Sequence, residues 1–431
     1  MFDILPTEIL CYIISYISNQ TLLIICLISR YFAKFSAANL RLLLHENLAR
    51  TTKLDLQEYD IRRLIKLSKF NFGYNNISAG EAQSLILSNK GTVYACGYNE
   101  YGQLGLGDND DRNVPTLIDD SMHIIQISTN GAHSLILSNK GQVYACGSNL
   151  YGQLGSEQLE FEPGNFIIHE NILVLIQGLY DINYVSAGSD HSLFIDNIGH
   201  VYACGINIHG QLGLGDNDER NVPALIDDLN NMHIIQISAN GAHSLILSNK
   251  GQVYACGDNY YGELGLGDNI NRNIPTLITN LTHIVQISAG NQHSLVLSDN
   301  GQIYAFGANM FGQLGLNDSR ERKMPILIPN LVHIVQISAG CFYSLVLTNI
   351  GQVYAFGYNK KGFLGLGDKI SMHIPTLISN IFHINQISAG GNHSLAFNEY
   401  GVYSFGCNEH GQLGLGDNND SYLPRLHQYH L

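Results

Sequence analysis

The sequence predicts a mainly-β protein, a seven-bladed β-propeller preceded by a small α-helical domain. A glycine-rich phrase close to "GQLGLGD" occurs seven times. A phrase such as "ISAG" or "ISTN" sets the register of the copies, which begin near residues 77, 127, 185, 237, 287, 337 and 387 and so lie 50 to 58 residues apart. Each copy contains four strand-like segments. A period of this length with four strands per unit is typical of propeller blades, which bury a core against their neighbours.

The fifth copy shows how the four strands are predicted. "QISAG" indicates the first strand and "HSLVLS" the second, and the turn signal "DNG" ends the second. "QIYAFG" indicates the third strand, and "ILI" follows a long glycine-rich loop as the fourth. In six copies a proline stands at the start of this last segment. Because proline lacks a backbone donor, the fourth strand is expected at the outer edge of the blade. These prolines are Pro115, Pro223, Pro275, Pro325, Pro375 and Pro424.

The glycine-rich loops do not favour nucleotide binding. A phosphate-binding glycine loop is needed once, before one helix, whereas this loop recurs in every copy with no helix after it. We expect the glycines to supply positive φ or close backbone approach between blades. The aspartates that close six of the loops are expected to accept backbone N–H bonds. No second carboxylate follows at a fixed spacing, so calcium is disfavoured, and we expect neither a cofactor nor a metal.

Cysteine usage and charge restrict the compartment and the partners. Four of the eight cysteines occupy the phrase "YACG", where later copies carry phenylalanine, so the position indicates an apolar core slot in a reducing compartment. Residues 77–431 have a net charge of −17, which disfavours nucleic acid and anionic membranes as partners. No signal peptide is recognisable. The chain is expected to be cytoplasmic or nuclear and not secreted.

The histidines and the repeated phrases do not indicate an active site. Five histidines recur in the phrase "HSL", one per blade, so a structural hydrogen-bonding role is expected rather than metal or acid–base chemistry. The phrase "GAHSLILSNKGQVYACG" is identical at residues 131–147 and 241–257, so neither copy is a unique catalytic centre. We therefore expect no catalytic residues and no enzymatic activity. Recognition of a partner requires loops that differ between blades. The candidate target-binding residues in such loops are Glu81, Gln83, Asp190, Phe342, Tyr343 and Asn392.

The repeated unit, of the form "SAGxxHSLxLSxxGxVYAxGxNxxGQLGLGD", resembles the repeat of the regulator of chromosome condensation family. The resemblance extends over residues 77–426 and implies that family's seven-bladed propeller for residues 77–431. The second copy departs from the pattern after "GQLG" and is expected to carry a longer excursion. One relative, a plant ultraviolet-B receptor, senses light through tryptophan, and this chain contains no tryptophan.

Residues 1–46 show helical rather than alternating apolar spacing, and residues 47–76 are expected to form a helical linker. The phrase "LPTEILCYIISYI" and the later "LLIICLISRYF" resemble an F-box. The resemblance implies docking to a Skp-type adaptor of a cullin ubiquitin ligase. The matching adaptor-binding candidates are Leu5, Pro6, Ile9, Leu10, Ile13, Leu22 and Leu23. The alternative is a helical cap packed on the propeller.

Two functions follow from these resemblances. The first is a substrate-recognition subunit of an SCF-type ubiquitin ligase, with the F-box on the adaptor and the propeller on an unknown target protein. The second is a guanine-nucleotide exchange factor or regulator for a small GTPase. The family resemblance implies an exchange face containing the "DHS" type of loop, which Asp190 and His191 match.

Overall fold

Seven four-stranded antiparallel sheets surround a common axis in the computed structural model, which describes residues 76–156, 169–229 and 231–427. The first strand of each sheet contacts the first strands of both neighbours, and the seventh sheet contacts the first in the same way. The described residues therefore form a closed seven-bladed propeller, as the sequence predicts. The adaptor-binding candidates and nearly all of the expected linker lie outside the described residues.

Each blade uses four consecutive strands, numbered from the propeller axis outwards. Blade 1 contains β1 (Ile77–Ala79), β2 (Gln83–Leu87), β3 (Val93–Gly97) and β4 (Arg112–Asp119). Blade 2 contains β5 (Ile124–Asn130), β6 (His133–Ser138), β7 (Val143–Ser148) and β8 (His169–Leu175). Blade 3 contains β9 (Ile182–Ala187), β10 (His191–Asp196), β11 (Val201–Gly205) and β12 (Arg220–Leu225).

The remaining four blades follow the same order. Blade 4 contains β13 (Ile234–Asn240), β14 (His243–Ser248), β15 (Val253–Gly257) and β16 (Arg272–Leu277). Blade 5 contains β17 (Ile284–Ala289), β18 (His293–Ser298), β19 (Ile303–Gly307) and β20 (Arg322–Leu327). Blade 6 contains β21 (Ile334–Ala339), β22 (Tyr343–Thr348), β23 (Val353–Gly357) and β24 (Met372–Leu377). Blade 7 contains β25 (Gln386–Ala389), β26 (His393–Asn398), β27 (Gly401–Gly406) and β28 (Ser421–Leu426).

The fourth strand is the outermost strand of every blade and pairs only with the third. Proline is tolerated there because an edge strand leaves one row of backbone groups unpaired. This confirms the edge position expected from the prolines. The six prolines, however, all lie at the fourth residue of the strand rather than at its start.

The hydrophobic core lies between adjacent blades. Every residue of β14 is buried, and Leu245 and Leu247 of that strand pack in one cluster with Val296 and Phe306 of blade 5. The third-strand slot shared by cysteine and phenylalanine is fully buried in all seven blades, which confirms its apolar role. Its occupants are Cys96, Cys146, Cys204, Cys256, Phe306, Phe356 and Phe405.

The glycine-rich loops are structural, as expected. In blade 1, Gly102 has a φ of 73°, and a Cβ atom there would lie 2.4 Å from the Cα of Asn171 in blade 2. Asp108 accepts the backbone N–H of Asp110 and forms an ion pair with Arg112. The glycine therefore allows one blade to approach the next, and the aspartate closes the turn that follows.

Blade 7 closes onto blade 1 without exchanging a strand. The Ser388 hydroxyl accepts the backbone N–H of Ala79 at 2.9 Å, and the N–H of Gly416 donates to the carbonyl of Asn113 at 2.8 Å. The bond made by Ser388 recurs at the six other blade junctions. Closure therefore repeats the contacts that join consecutive blades.

Candidate protein-recognition face

Two sets of loops emerge on the same side of the propeller. Because the strands of a blade run antiparallel in chain order, the loop between the first and second strands lies beside the loop between the third and fourth. We call these the inner and outer loops; in blade 1 they are residues 80–82 and 98–111. The surface formed by all seven pairs is the upper face. The 2–3 hairpins and the connections between blades form the lower face.

A ring of buried histidines lies beneath the upper face. The histidines of the phrase "HSL" are fully buried, and each ring Nε2 lies 2.7 to 2.9 Å from a serine hydroxyl of the next blade. Each serine donates its own proton to an outer-loop carbonyl, as Ser84 does to Gln412 at 2.7 Å. The serine oxygen must then accept the Nε2–H of the histidine. The buried Nδ1 of each ring has no hydrogen-bond partner among the described residues, so it carries no proton and the imidazole is neutral.

Burial keeps these histidines neutral. It lowers the pKa of His133, His243, His293 and His393 to about 3, and that of His191 to about 4. No described group of three or more His, Cys, Asp or Glu residues converges to hold a metal ion. The histidines thus have the structural role that the sequence predicts, in bonds that link blade to blade.

Two of the predicted target-binding residues belong to this ring. Gln83 and Tyr343 occupy the histidine position in blades 1 and 6, and both side chains are fully buried. Gln83 Nε2 donates to Thr129 Oγ1 at 2.9 Å, and the Tyr343 hydroxyl accepts a bond from Ser394 at 2.9 Å. Their prediction as surface contacts is wrong, because each begins a second strand and points into a blade junction.

Phe342 belongs to an aromatic cluster on the upper face. Its ring centroid lies 5.6 Å from that of Phe311, which in turn lies 4.6 Å from that of Tyr358. All three side chains are half-buried, and they come from loops of blades 5 and 6. We call Phe311, Phe342 and Tyr358 the aromatic cluster. The sequence analysis missed the two outer-loop members because the outer loops were read as uniform repeats.

Glu81 and Asn392 line a pocket of about 300 Å³ where blade 7 meets blade 1. Glu81 is exposed and Asn392 is half-buried. The outer loops add Tyr98, Tyr101 and His410 to the wall. We call this the blade 7–1 pocket. Its outer-loop residues were also missed, since the repeat pattern does not show which loops meet across the closure.

Asp190, the remaining candidate, is half-buried in the inner loop of blade 3. Gln153 Nε2 donates to its carboxylate at 3.4 Å. Burial raises the pKa of Asp190, and the negative charge of Glu81 adds to the rise. The two carboxylates therefore make this part of the upper face electronegative.

Comparisons with known proteins agree with the propeller. A sequence profile of the RCC1-like domain matches residues 45–285, more than half of the chain. The profile of the regulator of chromosome condensation (RCC1) repeat matches residues 300–347, 351–397 and 401–429. No helix among the described residues is long and apolar enough to cross a membrane.

Two curated relatives match about half of the chain. "Probable E3 ubiquitin-protein ligase HERC4" of Mus musculus is 42% identical over 212 residues, which cover 48% of this chain and 19% of that protein. "Ultraviolet-B receptor UVR8" of Arabidopsis thaliana is 32% identical over 210 residues, 48% of this chain and 46% of the receptor. The match thus spans less than half the length of either relative.

Solved structures share the fold. Human WBSCR16 superposes with a TM-score of 0.68 and 26% identity, over 75% of this chain and 85% of that chain. Prp20p from Saccharomyces cerevisiae gives a TM-score of 0.70 at 24% identity, over 80% of this chain and 87% of that chain. With the profile matches and the seven described blades, these likenesses lead to one conclusion: the chain belongs to the RCC1-like domain family.

Proposed function

We propose that this chain is a substrate-recognition subunit of an SCF-type ubiquitin ligase. The upper face of the propeller binds a target protein, and residues 1–46 bind a Skp-type adaptor that connects the chain to a cullin. The chain itself supplies binding and no catalysis.

The aromatic cluster is the observation that carries the propeller's part of this proposal. Aromatic side chains that are partly exposed and closely packed are typical of the residues that dominate binding energy at protein interfaces. The equivalent position of Tyr358 is also tyrosine in blade 1, Tyr98, but the position of Phe342, just before the histidine position, is aromatic only in blade 6. The other blades hold Ala82, Ala132, Asp190, Ala242, Gln292 and Asn392 there. The cluster therefore distinguishes one sector of an otherwise repetitive face.

Two further observations support the ligase context. Relatives that match the repeats are named ubiquitin-protein ligases, although the matched segment is a fifth of HERC4. The sequence of residues 1–46 also resembles an F-box, which implies a Skp-type adaptor of cullin ubiquitin ligases as its partner. On the upper face, the buried histidines are neutral and tied to serines, which supports binding rather than acid–base chemistry.

The adaptor arm is tested by the double substitution Leu5→Ala with Pro6→Ala. Loss of two apolar contacts is expected to weaken binding to a purified Skp-type adaptor by about 10- to 100-fold, with an unchanged melting temperature. Pro275→Ala with Leu277→Ala, the same residue types on the outer strand β16, is the matched control. Two results would favour the helical-cap alternative and overturn the proposed adaptor binding. One is that the wild-type chain does not bind the adaptor, and the other is a lowered melting temperature of the variant without a change in binding.

Regulation of a small GTPase is the second candidate, and the paired carboxylates Glu81 and Asp190 on the upper face favour it. Only blade 3 carries aspartate before the histidine; the same position holds Ala132, Ala242 and Asn392 elsewhere. The test is release of a fluorescent guanine nucleotide from a small GTPase. Acceleration by the wild-type chain and its loss in Asp190→Asn would establish this function in place of the first.

A further inference from the structure

The blade 7–1 pocket is chemically unlike the other inner-loop positions. Glu81 is the second inner-loop residue of blade 1, and no other blade has an acidic residue there. The equivalents are Gly131, Ser189, Gly241, Asn291, Cys341 and Gly391. Gly391 allows the approach of blade 7, since a Cβ atom at that position would lie 2.8 Å from the Glu81 Cα. The closure of the ring thus places one carboxylate at the edge of a preformed cavity.

The pocket walls are aromatic and held in place. The ring centroids of Tyr98 and His410 lie 4.6 Å apart. The Tyr98 hydroxyl donates to Glu100, and His410 Nδ1 lies 2.9 Å from a carboxylate oxygen of Asp111. Both rings are therefore oriented before any ligand enters, which lowers the entropic cost of binding.

The charge around the pocket is negative. Glu81 and Glu409 are among its lining residues, and no lysine or arginine is. Lys361 forms an ion pair with Glu409, whereas Glu81 has no salt bridge within residues 76–156, 169–229 and 231–427. The Glu81 charge also contributes to the raised pKa of Cys341, although burial is the larger cause. Glu81 thus remains available to a cation.

We propose that the blade 7–1 pocket receives an arginine side chain of the bound target protein. This inference rests on the proposed target-binding function of the upper face. A volume of about 300 Å³ is at the lower end for ligand pockets, which suits one long side chain. A planar guanidinium can stack on a tyrosine ring and form two parallel hydrogen bonds to one carboxylate. Lysine cannot do either as well, so the pocket favours arginine.

The test is a titration of the full chain with a capped tripeptide, acetyl-Gly-Arg-Gly-amide. Binding is measured by NMR or calorimetry. The matched ligand is the same peptide with citrulline, which keeps the shape of arginine and removes its charge. The arginine peptide is expected to bind at least about tenfold more tightly, with an affinity that falls as salt rises. Equal affinity for both peptides, or no binding of the arginine peptide, would overturn the proposal.

Two variants locate the binding. Glu81→Gln is expected to weaken arginine-peptide binding by about five- to tenfold, since it removes the available carboxylate. Glu219→Gln makes the same charge change on an exposed outer loop of blade 3 and should leave the affinity unchanged. Equal losses of peptide affinity in the two variants would show a general charge effect and would contradict binding in the pocket. Capture of a target protein by a chain that does not bind the peptide would refute this inference and leave the proposed function standing.

Discussion

The Nε2 atom of His393 in the last blade lies 2.7 Å from the hydroxyl of Ser84 in the first. The same bond joins His243 to Ser294 at 2.9 Å inside the ring. Blades that are more than 300 residues apart in sequence are thus linked as consecutive blades are. This equivalence makes the strength of the closure measurable with matched substitutions.

Ser84→Ala tests the closing bond. The change leaves the Nε2–H of His393 without its partner and the carbonyl of Gln412 with only the weaker bond from Cys96 Sγ, which should cost about 1–3 kcal/mol of unfolding free energy. Ser244→Ala removes the equivalent group within the ring, where Cys256 Sγ likewise donates to the carbonyl of Gln211, and is the matched comparison. Urea unfolding should show similar losses for both. A Ser84→Ala chain as stable as the wild type would mean that this junction does not hold the ring closed.

The buried histidines predict a loss of stability in mild acid. Burial lowers their pKa to about 3 or 4, whereas a histidine in an unfolded chain has a pKa of about 6.5. The unfolded chain therefore binds more protons than the folded chain between about pH 6.5 and 4. Stability is full above pH 6.5 and falls as the pH drops, by about 1.4 kcal/mol per pH unit for each histidine.

The measurement is the urea midpoint from pH 7.5 to 5. His293→Gln provides the control, because Gln83 shows that glutamine fits this position. Over that range the variant should lose less unfolding free energy than the wild type, and the difference should equal the contribution of one histidine. A midpoint that does not change with pH in the wild type would contradict the buried neutral ring.

Glu263 is a buried carboxylate where five other copies carry glutamine. Its side chain is 1% exposed, and one oxygen accepts the backbone N–H of Tyr261 at 2.6 Å. Burial is the main cause that raises its pKa from 4.5 to about 7, and the nearby charge of Asp258 adds to it. Ionisation thus destabilises the folded chain progressively from about pH 4.5 to 7, and the cost is constant above that range.

Glu263→Gln should therefore stabilise the chain by about 2–3 kcal/mol at pH 8 and have almost no effect at pH 4.5. Gln211→Glu is the reciprocal variant and should destabilise the chain at pH 8. Chemical denaturation at the two pH values measures both effects. Equal stability of the wild type and Glu263→Gln at pH 8 would show that this carboxylate is not penalised by its surroundings.

Gly312 and Gly178 separate backbone strain from crowding. Their φ angles are 83° and 80°, but a Cβ atom at Gly312 would lie 2.6 Å from the Cα of His373, whereas at Gly178 nothing lies within 4 Å. Alanine at Gly178 should cost about 1 kcal/mol for its φ alone. Alanine at Gly312 should cost at least about 2 kcal/mol more in unfolding free energy. Equal costs would mean that the blades do not approach as closely as described.

The sequence predicted the blade because each blade's strands and turns, and in six blades the edge proline, are encoded within one repeat. The closed ring of seven followed from the count of repeats and the family resemblance. Gln83 and Tyr343 were misassigned because they replace histidine, although alignment with the phrase "HSL" places them in a second strand. The blade 7–1 pocket was missed for a different reason. Tyr98 and His410 are far apart in the chain, and their contact depends on a closure that no single repeat reveals.

The most direct test of target recognition by the upper face is quantitative affinity capture with the full chain, comparing Phe342→Ala with Phe382→Ala. Phe382 is 66% exposed on the lower face and provides a matched loss of a phenylalanine. Both variants are first checked for a wild-type melting temperature. We expect Phe342→Ala to capture at least about tenfold less target protein than the wild type and an unchanged amount of the Skp-type adaptor. Phe382→Ala should capture both as the wild type does. Undiminished target capture by Phe342→Ala, or an equal loss in Phe382→Ala, would contradict recognition through the upper face.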